Sequence, residues 1–210
     1  MFRRSCALVF VAIGVHTFAD EPKNSLNEPL RAELKRRVKE DQDARTQMID
    51  WLAKQKLNDA AAAKKMTEEP LVKKVAEIDK ANTEWLKDVV QKHGWPRRTL
   101  VGSDGAHDAW LLVQHADHDR AFQKKCLDLM RDLAVLGEVS PTDVAYLTDR
   151  VLVAESKKQL YGTQFHTVDG KLEPKPIENE AKVDERRKAV GLPTLAEYRK
   201  MVEKMYQQKK

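Results

Sequence analysis

Apolar positions recur every three or four residues through most of the chain, the spacing of helices that bury one face. Asn27, Glu28 and Pro29 predict the first helix start, because Asn caps well and Pro is tolerated in the first turn. Leu30, Leu34 and Val38 stack on one side of it, and Met48 and Leu52 resume the stripe. Between them lies a polar insert. It contains Asp41 and Arg45, four residues apart and therefore able to pair. A second helix is predicted from Pro70 through Val75, Ile78, Trp85 and Val89 to Gly94. Trp95-Pro96 then requires an extended connector. A third helix is predicted to start near Ser103 or Asp104, and residues 109–116 are apolar on nearly every side. A helix of that kind is buried and central. Gln114 and His115 project from it, and a buried polar group without a partner costs about 1–3 kcal/mol.

Asp117 or Asp119 is expected to cap a fourth helix that ends at Gly137, and Ser140-Pro141 to open a fifth. Asp149 and Arg150 lie at the margins of the apolar face of that fifth helix. The period then changes. Residues 159–166 alternate as a strand does, and Val168-Asp169-Gly170-Lys171 is a hairpin turn signal. In that reading Gly162 admits close approach of another group, and Pro174 and Pro176 end the ribbon. Two short helices, near 180–189 and 195–207, close the chain. The fold expected is mainly α: a single-domain bundle of six to seven helices with one small β-hairpin near 159–176.

The N-terminus changes the picture of where the protein works. Arg3 and Arg4, an apolar run at 6–15, and Thr17-Phe18-Ala19 make a secretory leader with cleavage expected after Ala19. The apolar run is too short for a membrane-spanning helix, which needs about 20 residues. The expected product is residues 20–210, one exported domain without a membrane span, in the periplasm or outside the cell. The formal net charge is +5, with Arg3 and Arg4 in the leader. The remaining charges of both signs are interleaved, with no basic stripe of the kind a nucleic-acid binder shows. Of two cysteines, Cys6 falls in the leader. Cys126 is then alone, so no internal disulfide is possible and the fold must rest on packing. Cys126 sits in a helical pattern and is expected to be a small buried apolar residue.

Several short runs carry a resemblance. They are Asp41-Gln42 with Arg45; Ile78-Asp79 with Ala81-Asn82-Thr83; Gly94-Trp95-Pro96; and Gln114-His115-Ala116-Asp117. Further along come Phe122-Gln123, Asp149-Arg150-Val151, Gln159 with Tyr161-Gly162-Thr163-Gln164, and Val183-Asp184 with Arg186-Arg187. Together these resemble a bacterial family, domain of unknown function 6624, over about residues 30–206. The resemblance implies an α-rich single domain and brings no activity or cofactor with it. His107, His118 and His166 fall outside its pattern.

Two polar groupings are candidates for chemistry. His115 and His118, with Asp117 and Asp119, have ligand-type side chains. They straddle a helix break, however, and lack the His-Glu-x-x-His spacing of a helical zinc site. An exposed linker is expected there, with no protein-bound metal and no cofactor. The second grouping is Gln114, His115, Asp149, Arg150, Gln159, Tyr161 and Gln164, drawn from three otherwise apolar or strand-like segments. Such residues could line one pocket, joined by Asp41 and Arg45. His115 would shuttle a proton with Asp149 orienting it, and Arg150 would hold an anionic group. Gln114, Gln159, Tyr161 and Gln164 would read the ligand by hydrogen bonds. The expected function is binding or transforming a small anionic ligand. The alternative is a non-catalytic exported interaction domain, in which the same residues satisfy one another and fix the packing. The partner is a small molecule or a protein, with no nucleic acid.

Overall fold

The computed structural model describes residues 26–54, 68–168 and 171–207; the expected leader at 1–19 lies outside them. Helix α1 (Glu28–Ala53) begins as expected, with the Asn27 side chain accepting a hydrogen bond from Leu30 N at 3.1 Å. It runs unbroken through the polar insert. Helix α2 (Pro70–His93) ends at Gly94, whose φ of 71° is open to glycine at little cost. Helix α3 (Arg98–Gln114) starts earlier than expected. A first turn precedes Gly102, whose backbone is non-helical, and the helix proper continues from there. His115 is its C-cap.

Asp119 caps α4 (Arg120–Val135) by accepting from Phe122 N at 3.0 Å, and Pro141 opens α5 (Pro141–Ala154). A 3-10 turn (Glu180–Lys182) leads into α6 (Val183–Ala189), and α7 (Leu195–Gln207) closes the described chain. The one sheet among the described residues is an antiparallel hairpin of β1 (Phe165–Val168) and β2 (Lys171–Pro174). The fold is mainly α, as the hydrophobic spacing indicates.

Helix α3 is the central element, packed against α1, α2, α4 and α5. Ala109, Trp110, Leu112 and Val113 join Leu34, Leu86, Leu127, Met130 and Leu147 in one apolar core. Burial of such side chains contributes about 1.5–3 kcal/mol each. Cys126 is fully buried there, which pushes its thiol up to about 12, so it packs as an apolar residue. No described helix is long and apolar enough to cross a membrane.

Residues 159–164 do not form a strand. Only Gln159 makes a bridge, to Ile177, and the segment curls around the end of α5. The cause is the Asp149 carboxylate, which collects N–H groups from Leu160, Tyr161 and Thr163. No extended strand can aim consecutive amides at one point. Gly162 makes the curl possible with φ of 69°. A Cβ there would meet Ile177 and Leu195 side chains at 2.8 Å, so the close approach is real but comes from neighbouring side chains.

A polar centre where three helices meet

Asp41 and Arg45 sit one turn apart on the inner side of α1, and their pairing is local: Arg45 Nε donates to Asp41 Oδ1 at 3.0 Å. Helix α2 brings Asp79 to the same guanidinium, which Arg45 Nη2 contacts. Helix α3 ends on His115, whose Nδ1 lies 3.1 Å from Asp41 Oδ2 and 3.2 Å from Oδ1. The same nitrogen is 3.1 Å from Arg45 Nε. Gln42 Nε2 donates to Asp41 Oδ2 at 2.7 Å. The Asp41 side chain is 1% exposed, and those of His115, Asp79 and Arg45 are 15%, 16% and 20% exposed. Among the described residues, His115 Nε2 has no hydrogen-bonding partner. Among these residues the imidazole is thus clamped through Nδ1 and unpartnered at Nε2.

Charge is unevenly matched at this centre. Burial works to raise the Asp41 carboxyl, but the bond to His115 and the Arg45 charge outweigh it and hold it below the usual range. Asp79 goes the other way. Burial pushes it up against the pull of the same arginine. Two carboxylates share one guanidinium.

The remaining expected site residues separate into two further groups. Arg150 does not reach His115: its Nε donates to Asp117 Oδ1 at 2.9 Å, and Nη2 contacts the other oxygen. Gln123 Nε2 also reaches Asp117 Oδ1, at 3.3 Å. Among the described residues the Gln114 side-chain oxygen is buried without a partner, while its backbone carbonyl accepts from Gln123. Asp149 is fully buried and bound to backbone, with Thr163 Oγ1 adding a fourth donor at 3.0 Å. Gln159 is equally sealed. Its amide donates to the carbonyls of Gln164 and Lys175, and its Oε1 accepts from Gln164 N. Gln164 Nε2 donates to Thr163 Oγ1, and the Tyr161 carbonyl accepts from the buried Arg187. These bonds stitch the chain to itself.

The pocket expected from sequence is therefore not one pocket. His115 gathers Asp41 and Arg45, and Asp149, Gln159, Tyr161 and Gln164 form a structural loop elsewhere. Asp149 orients backbone where an orienting role toward His115 was expected, and Asp41 takes that position. His118 is exposed, away from any metal-type cluster among the described residues. Asp79 was missed by sequence reasoning. A signal existed: it stands four residues after Val75 and seven before Leu86, on the buried face of α2.

A cleft of about 330 Å³ lies by His107, with Asp143, Ser103, Ser140, Arg98 and Glu138 in its walls. There Asp143 accepts from His107 Nδ1 at 3.1 Å, and that bond raises the imidazole above its ordinary value.

No curated protein and no solved structure matches the chain. The model of a family of unknown function, DUF6624, matches residues 31–210, spanning α1, the central helix, the Asp149 loop and α7. The chain therefore belongs to the DUF6624 family.

Proposed function

We propose that this is an exported protein that binds a small ligand where α1, α2 and α3 meet, and exchanges a proton with it through His115. The observation that carries the reading is the one-sided clamp on the imidazole. A carboxylate that fixes Nδ1 sets the tautomer and leaves Nε2 as the reacting nitrogen, the arrangement general acid–base catalysis requires. Export rests on the leader pattern at 1–19 and places the protein in the periplasm or outside the cell.

The ligand differs in charge from the one the sequence suggests. Arg150 is neutralised by Asp117, and Arg45 by two carboxylates. An anion would find no unpaired guanidinium here, so the centre suits a ligand with positive charge or hydrogen-bond donors. A second reading has one observation in its favour. Asp41, Asp79 and Arg45 all have partners already, as in a network that only fixes packing.

Access to Nε2 separates the two. Diethylpyrocarbonate acylates neutral, reachable imidazoles, and peptide mass spectrometry locates the adduct. The proposal expects His115 to be labelled in the folded protein, alongside the exposed His118 and His166. If His118 and His166 react while His115 stays untouched, the centre is sealed and the packing reading replaces the proposal.

A further inference from the structure

We infer that Asp41, Asp79 and His115 form a binding site for a divalent first-row transition-metal cation. The inference rests on the ligand-site reading of the same centre and names what the site takes.

Geometry comes first. One donor atom from each of the three residues lies within 4.8 Å of the other two. Donors on a common ion sit about 2.0–2.2 Å from it, so a small closing movement places all three on one cation. The donors come from α1, from α2 and from the C-cap of α3, elements fixed by the same core.

His115 Nδ1 stands between two unlike neighbours. It faces an acceptor, Asp41 Oδ2, at 3.1 Å and a donor, Arg45 Nε, also at 3.1 Å. A ring nitrogen carries either a hydrogen or a lone pair. In one tautomer two donors meet, and in the other two acceptors meet. With Nδ1 protonated, Asp41 accepts from both the ring and Arg45 Nε, and the two donors face each other. A cation accepts the lone pairs of Nδ1 and both carboxylates together, and that opposition disappears.

Charge points the same way. With a neutral imidazole, two carboxylates and one guanidinium leave one negative charge uncompensated, largely shielded from water. Arg45 contacts each of the three donor residues. Its side chain is 20% exposed and long, so it can withdraw toward solvent when an ion arrives.

The donor set narrows the ion. Two carboxylates and one imidazole contain no sulfur, which disfavours soft ions such as Cu(I). Three protein ligands fall short of the six to eight oxygens that Ca²⁺ takes. Mn²⁺ and Zn²⁺ accept mixed oxygen and nitrogen donors, and three protein ligands leave positions open for water or a ligand.

The test uses chelator-stripped protein, with Mn²⁺ followed by electron paramagnetic resonance and Zn²⁺ by calorimetry. One equivalent should bind. Asp79→Asn and His115→Gln should each weaken binding at least about tenfold, the loss seen even when an outer-shell partner is removed. Arg45→Met, which removes the competing cation, should bind more tightly, and His118→Gln should bind unchanged. Should Arg45→Met fail to fold, the other variants decide. The inference is overturned if neither ion binds at one equivalent, or if binding survives both Asp79→Asn and His115→Gln. Loss of binding in His118→Gln overturns it as well. Diethylpyrocarbonate labelling of His115 without metal binding would remove this inference alone; failure of both would remove the ligand site too.

Discussion

Asp41 and Asp149 are both carboxylates sealed in the interior, at 1% and 0% exposure, but their partners differ in kind. Asp149 is held by backbone: three amides and a hydroxyl from residues 160–163, fixed once the chain has curled. Asp41 is held by side chains, Gln42, Arg45 and His115, which can move, titrate or change partners. A backbone cradle builds structure. A side-chain cluster with a titratable ring and a surplus carboxylate can exchange its contents, which is what a binding centre needs. The two regions share residue types and differ in what surrounds them.

The sharpest break between them is expected in stability. Asp149→Ala leaves three amides without their acceptor, on buried Thr163 and on half-buried Leu160 and Tyr161; an unmet buried donor costs about 1–3 kcal/mol, so a loss of about 3 kcal/mol is expected. Asp41→Asn should cost only about 1–2 kcal/mol, because Arg45 keeps Asp79 and part of its exposure to water. Urea unfolding of the two variants beside the parent measures both. Equal losses would erase the distinction.

A smaller effect separates them in acid. The folded Asp41 carboxyl is held below its ordinary value, chiefly by His115 against the cost of burial. Its contribution is therefore present above the unfolded carboxylate value, about 3.9, and fades as pH falls through the lower folded value. Burial raises Asp149 in spite of its amides, so the folded protein takes up that proton first and gains relative stability as pH falls toward about 3.9. The melting gap between parent and Asp41→Asn should narrow with acidification, and that for Asp149→Asn should widen. Parallel trends from pH 6 to pH 3 would contradict the assignment.

The same contrast explains what could be read from sequence. Helix starts and stops were legible because caps are local: Asn27 and Asp119 bond within three residues, and Gly94 ends α2 by its own backbone. The Asp41–Arg45 pair was legible for the same reason, since four residues is one helical turn. Asp79 was not, because its link to Arg45 depends on how α2 packs against α1. The 159–164 segment misled because alternation describes side chains, whereas its path is set by a carboxylate more than ten residues earlier. Asp149 stands four residues after the buried Ala145, on the inner face of α5, which marks it as interior and in need of partners.

The central claim is that His115 serves a ligand and does not hold the core. The thermal midpoint of His115→Leu beside the parent, in one buffer, tests it most directly. Residues kept for function are often held at some cost to stability, and Asp41 retains Arg45 and Gln42 in the variant. The account predicts a midpoint lowered by a few degrees at most, since only the His115–Asp41 bond is lost. A drop of many degrees would show that the imidazole ties the three helices together, and would contradict it.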